Sequence, residues 1–381
     1  MAYLGLNNID DFLETVKPKY VLMSWKDISM SLQEYFFASR LFSKAAPDSQ
    51  ESDHVEWRVQ IANNQTFKFT GLFADDQTVR QDLLTHAKMG WSMSTANYIY
   101  DINEDIFRTS AVKIIEYMRT LEHSMYNSYF EGMERAMFSG GPSSSTQTEP
   151  PPASLLWWLQ AYNGNTSSYS SDYGTALVAG AGSSNFLGMD PPGFQAVGTA
   201  TLSRITNRGW RNRVGVYAAV TQDDLIDTTL ECLRKCQFKP AHQYAELAPS
   251  GRPKWELLTT YSRIKELDRI LANSNDNVKG DVATYKAGVP MISGVPVVWV
   301  PAWSDQEFGT ARTDGVMLGV NWSTFKWYSA AGRRMVRRPP WQDPHKSDVR
   351  WVKISDSGQL VCFDCRQNFN ITCTSTVTES D

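Results

Sequence analysis

The sequence predicts a mixed fold of the α+β class, and three observations support this prediction. Residues 110–139 have uninterrupted helical periodicity, which makes a helix roughly twice as long as the average. Segments with strand-like alternation precede this helix and return in the C-terminal part of the chain. Two shorter amphipathic helices lie between the long helix and those last strands.

The composition is that of a globular protein, with 42% hydrophobic and 20% charged residues among 381. The 37 basic and 41 acidic residues give a formal net charge of −4, which argues against a dedicated nucleic-acid binder. There is no apolar run of about 18 residues, and the N-terminus lacks a basic region followed by an apolar core. We therefore predict neither a membrane span nor a signal peptide.

Residues 1–53 contain one amphipathic segment, "WKDISMSLQEYFFASRLFSK". Its apolar residues fall near helical spacing: Ile28, Leu32, Tyr35, Phe36 and Leu41. The polar stretch "AAPDSQESD" follows. An extension of this kind is either a linker or an arm that needs another surface to pack on.

Residues 54–101 change to a period of two. "HVEWRVQI" alternates, "NNQ" turns and "TFKFTGLF" alternates again, which predicts a hairpin. A further β-like run, "HAKMGWSMSTANYIYDI", leads to the long helix. Polar residues lie on both faces of these strands, so we expect them to be stable only when another surface covers them.

The long helix carries one continuous apolar stripe with steps of three and four: Ile114, Met118, Leu121, Met125, Tyr129, Met133 and Ala136. The remaining faces are charged, through Glu116, Arg119, Glu122, Glu131, Glu134 and Arg135. Gly140-Gly141-Pro142 is predicted to end the helix. The stripe indicates packing on a sheet, and the methionines in and beside it indicate gap-filling contacts, not a ligand site.

The second half of the chain begins with residues 167–210, which are poor in charge and predict extended excursions. Two helices follow, "TQDDLIDTTLECLRKCQF" with Thr221 as N-cap, and "TYSRIKELDRILANSND". The β-rich segments "GVPMISGVPVVWVPAW", "VMLGVNWSTFKWY", "VRWVKIS" and "QLVCFDCRQNFNITCT" close the chain. Pro290, Pro296 and Pro301 predict that the first of these forms edge or broken strands.

The five cysteines require a zinc site to be considered: Cys232, Cys236, Cys362, Cys365 and Cys373. Cys232 and Cys236 are one helical turn apart, but strand-like alternation places Cys362 and Cys365 on opposite faces, which is unsuitable for joint ligation. An odd count without a secretory signal indicates reduced thiols. We favour buried structural thiols.

Other catalytic patterns are scarce. The histidines are scattered without spaced partners: His54, His86, His123, His242 and His345. Gly180-Ala181-Gly182 lacks the glycine and lysine of a phosphate loop. Capping and turn roles explain Asp223 with Asp224, and Asp276 with Asp281, better than paired catalysis does. We predict no catalytic, cofactor-binding or metal-binding residue, no cofactor and no enzymatic activity.

Taken in order, these parts resemble the major capsid protein of tailed phages, with the fold first described for phage Hong Kong ninety-seven. Several stretches are similar to a phage and prophage subgroup: "SLQEYFFASRLF", "GMERAMFSG", "TQDDLIDTTLECLRKCQFKP", the turn Asn275-Asp276-Asn277, residues 296–301 ("PVVWVP") and residues 319–322 ("GVNW"). The similarity extends from about residue 25 to the C-terminus and is weakest over 143–210.

The resemblance implies a domain organisation. Residues 1–53 would be the N-terminal arm and 54–101 the extended loop. Residues 102–200 would be a peripheral domain with the spine helix at 110–139. Residues 201–325 would form mainly the axial domain, and 326–381 the closing strands of both domains.

The resemblance also implies a function: self-assembly as pentamers and hexamers into an icosahedral shell that encloses double-stranded phage DNA, in the virion, after assembly in the host cytoplasm. Expected partners are other copies of the chain, a portal, decoration proteins, and packaged DNA through non-specific contacts, with no membrane. Some relatives carry a scaffold-like segment ahead of the arm. This chain starts at Met1 with almost no room before the arm, so scaffolding is expected from a separate protein.

Two alternatives stay open at this point. An encapsulin-type shell has the same fold and holds protein cargo, and a cysteine–zinc enzyme would use the thiols. Some relatives also join a lysine of the extended loop covalently to a neighbour. Lys68 and Lys88 are the lysines of that region here, and neither has a recognisable partner carboxylate, so we predict solvated charges that protect strand edges.

Overall fold

The computed structural model describes residues 32–44, 46–47, 54–60, 67–72, 84–101, 111–138, 151–159, 212–237, 254–273, 283–286, 289–304, 315–342 and 348–373. The chain divides into two compact units. The first is drawn from Met1–Gln33, Thr95–Glu131 and Arg337–Ser355, and the second from Glu34–Ser94, Gly132–Val336 and Asp356–Asp381.

Five α-helices occur in the described residues: α1 (Ala111–Phe138), α2 (Leu155–Trp158), α3 (Asp227–Cys236), α4 (Tyr261–Asn273) and α5 (Pro301–Ser304). A π-helical turn (Phe37–Leu41) and a 3-10 turn (Phe42–Lys44) lie near the N-terminus, a π-helical turn (Gln222–Ile226) leads into α3, and a 3-10 turn (Cys365–Gln367) follows the longest strand. The strands are β1 (Ala46–Pro47), β2 (His54–Gln60), β3 (Leu84–Gly90), β4 (Ser92–Asp101), β5 (Arg213–Tyr217), β6 (Trp255–Thr259), β7 (Ala283–Lys286), β8 (Val289–Ile292), β9 (Val295–Trp299), β10 (Met317–Asn321), β11 (Phe325–Ser329), β12 (Val336–Arg337), β13 (Trp341–Gln342), β14 (Val349–Cys362) and β15 (Phe369–Cys373).

The long helix predicted over 110–139 is confirmed as α1, which has 28 residues. Met125, Tyr129 and Met133 of the predicted stripe are buried. Glu134 corrects the prediction for the charged faces, because its side chain is fully buried rather than solvated. The predicted stop at residues 140–142 lies outside the described residues, as does the predicted excursion over 167–210.

A seven-stranded mixed sheet in the second unit has the order β5-β15-β10-β6-β9-β8-β7. Its core includes Phe369 and Ile371 of β15, Leu230 and Leu233 of α3, and Leu267 of α4, which confirms the two predicted helices as elements that bury their apolar faces. Strands β10 and β15 are buried along their whole length. A strand that is covered on both faces can carry apolar residues at consecutive positions and not only at every second one.

The approach of β10 to β15 requires a glycine. Gly319 pairs with Phe369 across the two strands, and a Cβ atom at position 319 would lie 2.1 Å from the Phe369 ring. Any larger residue would therefore displace the ring or separate the strands.

The alternative that the prolines make edge strands is wrong, whereas the segment is broken as predicted: a turn at Ser293-Gly294 separates β8 from β9. Strand β9 lies between β6 and β8, and β8 lies between β9 and β7. Pairing of β6 with β9 begins at Val297, so Pro296 stands just ahead of that ladder. The missing N–H of Pro296 therefore removes no hydrogen bond between β6 and β9. Pro301 is the first residue of α5, where an N–H would be unpaired in any case.

The predicted partner of β2 is also wrong. Strand β2 pairs antiparallel with β3, with His54 opposite Gly90 and Gln60 opposite Leu84. Residues 67–72, from the predicted strand "TFKFTGLF", are not in a strand. The run 86–102 is confirmed as strand-forming, since it supplies most of β3 and β4.

The N-terminal segment, residues 34–44, is part of the predicted linker or arm and packs within its own chain. Phe36, Phe37 and Leu41 are buried. The Phe37 ring stands edge-on to Trp327 of β11, with 5.0 Å between ring centroids. This segment is part of the core of the second unit.

Thr221 occupies the predicted N-cap position in an extended conformation, although its side chain makes no capping hydrogen bond. Asp224 instead accepts hydrogen bonds from the backbone N–H groups of Ala218 and Ala219, at 2.8 and 2.9 Å. Its role is therefore to hold the loop before the helix. Within the described part of the chain, no helix has the length and apolar character needed to cross a membrane.

Candidate assembly surface

Among the described residues, the most exposed apolar cluster lies on 67–72, called here the apolar loop. Phe67, Phe69 and Leu72 are 83%, 94% and 93% exposed, and the two phenylalanine rings meet edge to face at 5.3 Å. A folded chain seldom leaves such side chains in water unless another surface covers them. The apolar loop is therefore suited to contact with another molecule.

Strand β4 presents a second open surface. Ser92 and Tyr98 are buried, whereas Met93 and Ile99 are 78% and 57% exposed, as expected from alternation along a strand with one covered face. The outward face of β4 is therefore apolar at two positions.

A third surface, in the first unit, was missed from the sequence. Trp341 of β13 is 63% exposed and pairs with Trp351 of β14, with ring centroids 6.2 Å apart. Arg338 and Arg350 are exposed beside this pair. The signal was present in the charge pattern, since residues 332–353 hold seven basic and two acidic residues in a chain of net charge −4. Tryptophan and arginine are the residue types enriched in energetically important protein contacts.

The two lysines of the region lie in different settings. Lys68 is exposed on the apolar loop. Lys88 is opposite Glu56 in the β2–β3 register. Covalent joining of either lysine to a neighbour remains untested.

The cysteines are placed as buried thiols without disulfides. Cys232, Cys236 and Cys373 belong to the core of the seven-stranded sheet. Burial raises the pKa of the Cys236 thiol, and burial together with a hydrogen bond to Cys365 raises the pKa of the Cys362 thiol. A raised thiol pKa disfavours the thiolate that metals bind.

The contact between Cys362 and Cys365 corrects the prediction that they lie on opposite faces. Strand β14 ends at Cys362, and Cys365 lies in the following 3-10 turn, so strand alternation does not extend to it. Even so, no group of three or more histidine, cysteine or acidic side chains in the described residues could hold a metal ion.

The other residues considered for chemistry do not come together. His54 is in hydrogen-bond contact with Glu56 on β2. His86 lies on β3, and His123 lies on α1, 3.3 Å from the Asn127 side chain. The residues outside the described part are His242, His345, Asp276, Asp281 and Gly180-Ala181-Gly182. The expected absence of a catalytic site stays a prediction.

Comparison with solved structures identifies the fold. A chain from the cyanophage A-1(L) capsid asymmetric unit superimposes with a TM-score of 0.54 at 14% identity, covering 91% of this chain and 94% of that chain. A chain from the asymmetric unit of the mature capsid of bacteriophage PhiM1 gives 0.50 at 11% identity, covering 92% and 91%. This chain has a phage capsid fold. The similarity is structural, since no protein-family model and no curated protein matches the chain.

Proposed function

We propose that this protein is a major capsid protein, a structural subunit that assembles as pentamers and hexamers into an icosahedral shell enclosing double-stranded phage DNA. The observation that carries the proposal is the capsid fold, which extends over nearly the whole length of both this chain and the cyanophage A-1(L) chain. The subunit acts through its surfaces and not through a catalytic centre.

The exposed side chains support self-assembly. Three large apolar side chains on the apolar loop, each more than 80% exposed, would be stabilised by burial against a neighbouring subunit. We propose that residues 54–101 form the extended loop and lie over that neighbour. We propose 1–53 as the arm, 102–200 as the peripheral domain, 201–325 as mainly axial, and 326–381 as closing strands.

The proposed partners follow from the same role. The shell would assemble in the host cytoplasm with a separate scaffolding protein, a portal and decoration proteins, and it would contact DNA non-specifically. The net charge of −4 fits a container whose wall must hold DNA without binding it tightly.

The content of purified particles tests this proposal against the encapsulin alternative. Particles that contain the chain are isolated from the cells that produce it and treated with nuclease to remove external nucleic acid. Their contents are then extracted. Protected double-stranded DNA is the expected result. Particles that lack DNA and enclose a single foreign protein would overturn the proposal in favour of a protein-cargo shell.

A further inference from the structure

Glu134 joins two distant parts of the second unit. Its Oε1 accepts a hydrogen bond from the Phe36 N–H at 2.9 Å, and its Oε2 accepts one from the Phe37 N–H at 2.7 Å. These donors stand at the start of the π-helical turn Phe37–Leu41, so the carboxyl of α1 occupies the position of a cap for that turn. The N-terminal segment is thereby held on α1 by one side chain.

The surroundings of this carboxyl are aromatic. Phe36 meets Phe138 of α1 edge to face at 6.1 Å, and Phe138 meets Trp303 of α5 at 5.4 Å. The side chain of Glu134 has no exposed surface. A carboxylate in such a place is costly unless donors or a cation compensate its charge.

Two charged groups act electrostatically on this carboxyl, Glu34 and Arg40. Arg40, on the N-terminal segment, forms ion pairs with Glu34 at 3.2 Å and with Glu256 of β6 at 3.3 Å. Burial raises the pKa of Glu134 from 4.5 to about 7, the hydrogen bonds from Phe37 and Phe36 lower it, Glu34 raises it and Arg40 lowers it. Burial is the largest of these effects.

We propose that the Glu134 carboxyl is a proton-operated latch, which holds residues 34–44 on α1 firmly when it is protonated and less firmly when it is ionised. Protonation neutralises the buried charge, while the remaining carbonyl oxygen still accepts one backbone N–H. Ionisation restores both hydrogen bonds but leaves the charge buried among aromatic rings. This device would act in the single chain, whether or not the chain builds a shell.

The sign follows from linkage. The carboxyl binds its proton more tightly when the segment is seated, since its pKa is then about 7 rather than 4.5. Packing of residues 34–44 on α1 is therefore strongest below pH 4.5. It weakens as the pH rises from 4.5 to about 7, and it becomes constant above that pH. The equilibrium constant for packing of this segment on α1 changes about 300-fold in total, because the two pKa values differ by about 2.5 and each unit is a factor of ten.

Hydrogen–deuterium exchange of the peptide covering residues 34–44 tests the latch in the purified 381-residue chain. After correction for intrinsic exchange rates, protection should fall as the pH rises from 5.5 to 7, by up to about tenfold per unit, and then become constant. Glu134→Gln should abolish this dependence. Glu131→Gln, on the same helix, should retain it. Equal pH profiles for the parent chain and Glu134→Gln would overturn the proposal.

Two further variants decide the matter even if Glu134→Gln fails to fold. Arg40→Gln removes a cation that, besides the two backbone N–H groups, lowers the Glu134 pKa, so the pH at which protection becomes constant should rise. Glu34→Gln removes a group that raises it, so that pH should fall. Unchanged profiles in both variants would also overturn the proposal.

Discussion

Replacing the three apolar side chains of the apolar loop with serine should abolish assembly and leave the folded chain intact. Full burial of one such side chain contributes about 1.5–3 kcal/mol. Phe67, Phe69 and Leu72 are more than 80% exposed, so nearly all of this energy is still available to a neighbour. The triple substitution would remove about 4–8 kcal/mol from each subunit contact, which weakens association at least about a thousand-fold.

The free energy of unfolding should change little in this variant, within about 0.5 kcal/mol, because exposed side chains contribute little to the stability of the chain. Denaturant unfolding measures that quantity, and light scattering with electron microscopy measures assembly. Lys68→Ser is the matched control, since it changes the same loop without removing large apolar surface, and it should assemble normally. Triple-variant shells that form at the concentration required by the parent chain would refute the reasoning.

Other substitutions test the interior and the surface chemistry. Met125→Asp should lower the free energy of unfolding by several kcal/mol, because it buries a carboxylate at a position that is 2% exposed. Glu122→Gln should lower it by less than about 1 kcal/mol. Equal losses would mean that the buried face of α1 is misassigned. Gly319→Ala should cost about 1–3 kcal/mol by denaturant titration, through collision with the ring opposite, and an unchanged midpoint would contradict that contact. Assembled particles should dissolve to single chains in hot detergent; covalent ladders on a denaturing gel, lost in Lys68→Ala or Lys88→Ala, would contradict the interpretation of both lysines as solvated charges.

The helices could be predicted because their signal is local. The spacing of apolar residues in α1, α3 and α4 repeats within each segment, so the period alone shows which face is covered. The burial of Met125 and Met133 follows from that spacing.

The strand partners could not be predicted with the same success, because pairing depends on distant segments. Residues 67–72 alternate as a half-buried strand does, yet alternation does not show whether the cover comes from the same chain or from another molecule. An edge position could not be inferred from the prolines for a related reason: whether a missing N–H matters depends on the register, and Pro296 stands just outside the ladder with β6.

Glu134 shows the limit of helix periodicity. The residue stands between Met133 and Arg135, and its burial depends on donors at Phe36 and Phe37, almost a hundred residues earlier in the chain. No spacing rule within α1 contains that information. The charged surface around Trp341 was missed as well, although a local excess of basic residues marks it in the sequence.

Cryo-electron microscopy of the expressed 381-residue chain, alone and with the proposed scaffolding protein, tests the central claim most directly. The account predicts closed shells whose subunits are arranged in rings of five and six, with the apolar loop of each subunit covered by its neighbour. Monomers or small open oligomers under both conditions, or shells in which Phe67, Phe69 and Leu72 remain exposed to solvent, would contradict it.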